Sequence, residues 1–445
     1  MKRTYIHNAL LVNEGKVFQG GVVICNDTIE QVLQSPSLPN YSCDIVIDAA
    51  GAYLIPGVID EHVHFREPGM TDKGDIYSES KAAAAGGVTS IMDMPNTNPQ
   101  TTTFQAFEDK MKLMAQKCLV NYSCYFGATN DNIELLQDLD PHRVCGVKVF
   151  MGASTGNMLV NDKRALHDIF SIKNILIATH CEDQAVVNEN IEKYSSKMVD
   201  GDLPVAYHNK IRSTSACFRS ASTAYRLAQR LGTQLHILHV STMQELRLFS
   251  NKKDKHITGE VCVGYLNFTS SDYKKMGALI KVNPAIKTPN NRDELYRAIN
   301  EGRIETIATD HAPHLLSDKQ GGALKAKSGM PSIQFALISM LELVSKQVFT
   351  ITTVVDKMCH APARLFRIHQ RGFIREGYKA DLVLVRDNIT PYTISNCDVI
   401  SKCGWTPFAG FDSHWKIDYT IVNGNIIYNG SRVIDSCRGE ELSFR

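Results

Sequence analysis

Eight apolar runs of strand length, over residues 54–63, 88–94, 119–128, 144–150, 174–180, 234–240, 257–263 and 304–309, alternate with stretches of helical periodicity such as 74–86, 103–117, 215–231 and 290–301. Strand-then-helix alternation is the pattern of βα units on a parallel sheet. Eight such units predict an α/β fold, a (β/α)8 TIM barrel, over residues 54–371. A barrel of this kind takes about 250 residues, so a chain of 445 has room for a companion domain. The two ends have a different texture. Short apolar runs broken by turn residues fill 1–53, as at Gly20–Cys25 and Asp44–Asp48, and return after 372, as at Ala380–Val385 and Asp418–Tyr428. These predict antiparallel strands, and residues 1–53 and 372–445 together predict one composite β-rich domain.

In a (β/α)8 barrel the chemistry sits where the strands end at their C-terminal side, so polar residues that terminate apolar runs are the ones to inspect. His62 and His64 close the first run, two positions apart. Residues at i and i+2 of a strand project to the same side and can share one metal ion, and neutral imidazole is the commonest metal ligand. Lys148 stands alone in the apolar fourth run, His180 closes the fifth, and Asp310 closes the eighth. The sixth run carries His236 and His239 on opposite faces; His239, nearer the C-terminal end, is the better ligand, and His236 reads as structural. An ammonium repels a metal, but a desolvated neutral lysine can take up carbon dioxide, and the resulting carbamate has two oxygens to bridge two cations. Each residue alone is unremarkable; six metal-competent groups at five strand ends are not a coincidence.

Charge and cysteine usage narrow the partners. The 48 basic residues nearly balance 47 acidic ones, for a net charge of +1, so no long-range field recruits nucleic acid or an anionic membrane. No window approaches the roughly 20 apolar residues of a membrane span, and no secretory leader is recognised at the start. Twelve cysteines are scattered without a Cys-x-x-Cys pair, which suggests a reducing, cytoplasmic setting and argues against thiolate zinc. Cys181 and Cys262, near strand ends, read as buried thiols. The expected partner is a small molecule.

The segments PGVIDEHVHFREPG (56–69), AAAAGGVTSIMDMPNTNP (82–99), GVKVFMGASTG (146–156), ATHCED (178–183), LHVST (238–242), VNPAIK (282–287) and ATDHAPH (308–314) resemble those of the dihydroorotases, within the cyclic amidohydrolase superfamily. The resemblance spans almost the whole chain, and Gly372–Val383 is similar to the return into a small β-sandwich beside the barrel. It implies reversible hydrolysis of the ring amide of L-dihydroorotate to N-carbamoyl-L-aspartate, a step of pyrimidine synthesis. It also implies two divalent ions, zinc foremost, bridged by carbamylated Lys148. His62 and His64 then belong to the more buried ion with Asp310, and His180 and His239 to the more exposed one. Asp310 doubles as the proton shuttle to the departing ring nitrogen.

The same resemblance places Arg66, Asn96 and His314 on the substrate carboxylate and Asn283 on the ring. Arg66 is the selective residue, because guanidinium binds carboxylate bidentately and hydantoin and allantoin have no carboxylate. The chain departs from many dihydroorotases after the seventh run, where Cys262–Val263–Gly264 replaces a pair of histidines that are not metal ligands. Related hydantoinases, dihydropyrimidinases and allantoinases share the metal site, which keeps them as the alternative. A catalytically inactive scaffold of the same fold is opposed by retention of all six ligands. A homo-oligomer is the default expectation for such an enzyme. The glycine-rich stretch 315–331 reads equally as a lid or as a surface loop.

Overall fold

The structure, a computed structural model, describes residues 1–152, 158–252 and 255–445. A strand forms within each of the eight expected runs, with shorter limits. Val58–Val63, Val88–Asp93 and Asn121–Cys124 pair in parallel. The third resumes after Tyr125 as Phe126–Gly127, and the parallel ladder continues through Val147–Phe150, Ile177–His180, Leu235–Ile237, Ile257–Cys262 and Thr306–Ala308. Register places Phe150 beside His180 and Lys148 beside Ala178. The ring closes through a parallel bridge between Val63 and His311, supported by the His64 N–H donating to the His311 carbonyl at 2.8 Å.

The helices start and stop on local signals. Ile76–Ala85 begins at Asp75, which forms a reciprocal capping box with Ser78. Phe104–Lys117 begins at Thr103, and Thr214–Leu231 begins at Ser213, each hydroxyl accepting a first-turn N–H. Gly232 ends the latter helix in the left-handed conformation at φ 68°. Pro289–Asn300 carries its proline in the first turn, where no N–H is missed. No helix among the described residues is long and apolar enough to cross a membrane.

The first run departs from expectation. The sequence predicts one strand over 54–63, whereas the chain forms two, Tyr53–Pro56 and Val58–Val63. A Cβ at Gly57 would lie 2.0 Å from Thr89 Oγ1, so glycine alone lets the backbone turn against the neighbouring barrel strand. Tyr53–Pro56 leaves the barrel and pairs antiparallel with Leu382–Thr393, Leu54 opposite Leu384. Both chain ends thus contribute to one eight-stranded sheet, in which Arg3–Asn13 pairs with Lys16–Cys25, Ile45–Asp48 and Tyr53–Pro56.

Period-two alternation decides what that sheet buries. Leu382 and Leu384 join Ile6, Leu11, Val22 and Ile24 in the core of the sandwich domain, while Val383 and Val385 point the other way into the barrel's cluster. The last residues turn back to the barrel: Tyr122 pairs in parallel with Glu441, and the Leu442 N–H donates to the Tyr122 carbonyl.

Candidate metal centre and its cavity

His62 projects from the strand Val58–Val63, and His64 follows one residue beyond its end; Lys148 lies within Val147–Phe150 and His180 ends Ile177–His180. His239 and Asp310 stand two residues past Leu235–Ile237 and Thr306–Ala308. All six line one cavity of about 540 Å³ at the same end of the barrel. Arg66, Asn96, Asn283 and His314 line it too, so residues 252 apart in sequence, His62 and His314, share one wall. The segment 146–156 is described only as far as 152, and residues 153–156 lie outside the described residues.

The donor atoms converge. His62 Nε2 and His64 Nε2 lie 3.4 and 3.1 Å from Asp310 Oδ1, and the three groups can present ligand atoms within 4.8 Å of one another. His180 Nδ1 lies 2.9 Å from His239 Nε2. The outward nitrogens are occupied: His62 Nδ1 is 2.9 Å from Glu260 Oε1, His64 Nδ1 is 2.8 Å from Asn96 Oδ1, and His180 Nε2 is 3.1 Å from Glu182 Oε2. Carboxylate and amide oxygens accept, so the outward nitrogens carry the protons and the inward ones present lone pairs. With His180 Nδ1 as a lone pair, His239 Nε2 at 2.9 Å is placed either to donate to it or, with a cation between them, to act as a second ligand. Nitrogen and oxygen donors in this arrangement fit divalent metal.

The electrostatics favour the same species. Burial lowers His64 to about 4 against the pull of Asp310, and lowers His180 and His239 as well, so the rings are neutral at physiological pH. Burial pushes the Asp310 carboxyl up, but His62 and His64 outweigh it and hold it at about 2. Lys148, buried, with its Nζ 4.8 Å from the centre of the Phe150 ring, is brought down to about 8 by desolvation. The free amine, the form that reacts with carbon dioxide, is therefore far more abundant near neutrality than for an exposed lysine. Arg66 at φ 70°, His239 at φ 40° and Asp310 at φ 49° all hold left-handed backbone, a strain that clusters where side chains must be aimed.

On the adjoining wall, Arg66 Nε donates to the Pro313 carbonyl at 3.0 Å and its Nη2 lies 3.1 Å from His314 Nε2. Trp405 holds the His314 carbonyl through its indole N–H at 2.7 Å. Burial, with the charges of Arg66 and Lys73 beside it, brings His314 to about 2 and keeps the ring neutral. Asn283 accepts from the Ser328 hydroxyl at 3.0 Å.

The stretch 315–331 forms a wall. Lys319 Nζ donates to the carbonyls of Lys281, Lys327 and Gly329 at 3.1, 2.7 and 2.6 Å, and Asp202 accepts the N–H groups of Gly322 and Leu324 at 2.6 and 2.9 Å. His236 is buried and does not line the cavity; its Nδ1 lies 2.7 Å from Thr258 Oγ1. Cys181 and Cys262 are buried and do not line the cavity.

Sequence reasoning missed the outer partners. Glu260 had a signal, a carboxylate inside an apolar strand. Glu182 had a weaker one, two residues past His180. Arg212 had none.

A family model described as "Amidohydrolase family" matches residues 53–427. Among curated proteins the chain is 34% identical over 404 residues to the dihydroorotase of Methanosarcina acetivorans, covering 87% of this chain and 84% of that one. It is 30% identical to the dihydroorotase of Lactobacillus acidophilus, over 96% and 99% of the two chains. Among solved structures, the L-hydantoinase (dihydropyrimidinase) of Arthrobacter aurescens superposes with a TM-score of 0.94 at 25% identity, covering all of both chains. The dihydropyrimidinase of Brevibacillus agri shares the fold, with a TM-score of 0.87 at 24% identity over 97% and 96%. With the family model matched along most of its length, the chain belongs to the amidohydrolase family, which implies a two-ion centre for which the residues above are candidate ligands.

Proposed function

We propose that this chain is a dihydroorotase, interconverting L-dihydroorotate and N-carbamoyl-L-aspartate in pyrimidine synthesis. The observation that carries the substrate is the pair Arg66 and His314, 3.1 Å apart on the cavity wall beside the candidate metal ligands, with Asn96 lining the same cavity. A guanidinium there suits a ring that bears a carboxylate. The dihydroorotase-named relatives support the same reading.

His62, His64 and Asp310 would hold the more buried ion, His180 and His239 the more exposed one, and Lys148, as its carbamate, would bridge them; zinc suits the nitrogen and oxygen donors. When bound, the ions supply Lewis acidity at the scissile carbonyl and lower the pKa of water toward neutrality. Asp310, ionised and in contact with both His62 and His64, takes the proton from the attacking water and delivers it to the departing ring nitrogen. Arg66, Asn96 and His314 hold the substrate carboxylate, Asn283 orients the ring, and the wall of residues 323–329 limits water.

A barrel and a composite domain drawn from both chain ends are proposed as the two units; because Tyr53–Pro56 pairs in the composite sheet, the first boundary moves from 53/54 to Gly57, with the second kept at 371/372. Twelve free cysteines support a cytoplasmic setting, and a homo-oligomer remains the default.

A hydantoinase or dihydropyrimidinase is the second reading, favoured by the hydantoinase superposition. Steady-state assays on dihydroorotate, hydantoin, dihydrouracil and allantoin side by side separate the two. The proposal expects the highest kcat/KM on dihydroorotate; preference for a carboxylate-free ring overturns it.

A further inference from the structure

His180 is tied by its outward nitrogen to a charged chain that leads back to the cavity. Glu182 follows it by two residues, and its side chain is 1% exposed. Its Oε2 accepts from His180 Nε2 at 3.1 Å and from Arg212 Nη1 at 2.5 Å. Its Oε1 is buried with no hydrogen-bond partner among the described residues. Arg212 in turn lines the cavity and keeps its side chain 13% exposed. A buried carboxylate left half-satisfied is costly, and packing alone would be served better by an apolar residue. Oxygen of this kind does have one use here. An acceptor on Nε2 forces the proton to that nitrogen and leaves Nδ1, 2.9 Å from His239 Nε2, as a lone pair facing the cavity.

We infer that Glu182 and Arg212 are positioning residues for the more exposed ion: Glu182 sets the tautomer and tilt of His180, and Arg212 anchors Glu182. The inference rests on the reading of His180 and His239 as ligands of one ion. The other ion's histidines are held independently, His62 by Glu260 and His64 by Asn96. Loss of the Glu182–Arg212 pair therefore acts on one site of the two.

The test strips wild type, Glu182→Gln, Arg212→Met and Arg212→Lys of metal and titrates zinc back against a competing chromophoric chelator, with the thermal midpoint of each apo-protein alongside. Wild type should take up two ions. Glu182→Gln and Arg212→Met should keep the tighter site and lose about 10- to 100-fold at the other, the usual cost of removing an outer-shell partner. Arg212→Lys should recover part of that loss, since an ammonium can still reach the carboxylate. Unchanged affinity at both sites in both variants overturns the inference, and so does an equal loss at both. Should Glu182→Gln not fold, the two Arg212 variants decide on the same criteria. A wild-type apo-protein that binds no zinc removes the metal-centre reading itself, and this inference with it, an outcome distinct from a variant that merely matches wild type.

Discussion

The ring Nδ1 of His64 lies 2.8 Å from the side-chain oxygen of Asn96, so a residue proposed to touch the substrate carboxylate also orients a proposed metal ligand. The amide has one hydrogen-bonding end for each task. Asn96→Ala should therefore raise KM for dihydroorotate and also weaken zinc binding by about tenfold or more. Kinetics and metal titration on the same preparation check this. A change in KM with zinc affinity intact would confine Asn96 to substrate binding.

Arg66 should separate substrates. A charge-assisted hydrogen bond contributes about 1.5–3 kcal/mol, so Arg66→Ala should lower kcat/KM for dihydroorotate roughly ten- to a hundredfold while bound metal is unchanged. Dihydrouracil, the same ring without the carboxylate, provides the control. Equal losses on the two rings mean that Arg66 supports the wall rather than the carboxylate.

Lys148→Ala should abolish activity and lower metal content from about two ions per chain, because the bridge is gone. Desolvation brings the Lys148 ammonium down to about 8, so the reactive free amine becomes more abundant as pH rises toward 8 and scarcer below 7. Reconstitution of stripped protein should accordingly be faster with added bicarbonate and faster at pH 8.5 than at about 6.5. A rate indifferent to bicarbonate counts against the carbamate.

Asp310→Asn removes both a ligand and the proposed proton carrier. Acid–base assistance alone is worth about 10² to 10⁴ in rate, so kcat should drop by at least that much. Retention of more than a tenth of wild-type kcat rules out the assigned role.

Stability offers an independent check on the barrel. Lys110 Nζ lies 2.5 Å from Asp93 Oδ2 with both side chains fully buried, and Asp93 also accepts the Phe65 N–H at 2.7 Å just beyond His64. Lys110→Ala leaves that carboxylate unpaired, which should cost about 3–5 kcal/mol. Denaturant unfolding of the two proteins measures it; a loss below about 1 kcal/mol would mean that Asp93 relaxes into another partner.

The sequence by itself determined whatever depends on neighbours along the chain. His62 and His64 share a face because side chains alternate along a strand. Asp75, Thr103 and Ser213 start helices because their oxygens satisfy first-turn N–H groups. Lys148, His180, His239 and Asp310 were legible as polar residues at or near the ends of apolar runs, which a barrel must gather at one rim. Glu182 holds His180 from two residues away, but the partners of His62 and His64 were decided by tertiary structure. Glu260 reaches His62 across 198 positions and Asn96 reaches His64 across 32, contacts that exist only once the strands leading to them are set in register. The break at Gly57 depends on the side chain of Thr89, and the strapping of 315–331 depends on Asp202, more than a hundred residues upstream. Local periodicity is written by covalent geometry and is visible in any window. A partner across the barrel is selected by closure of the whole sheet, and no window contains it.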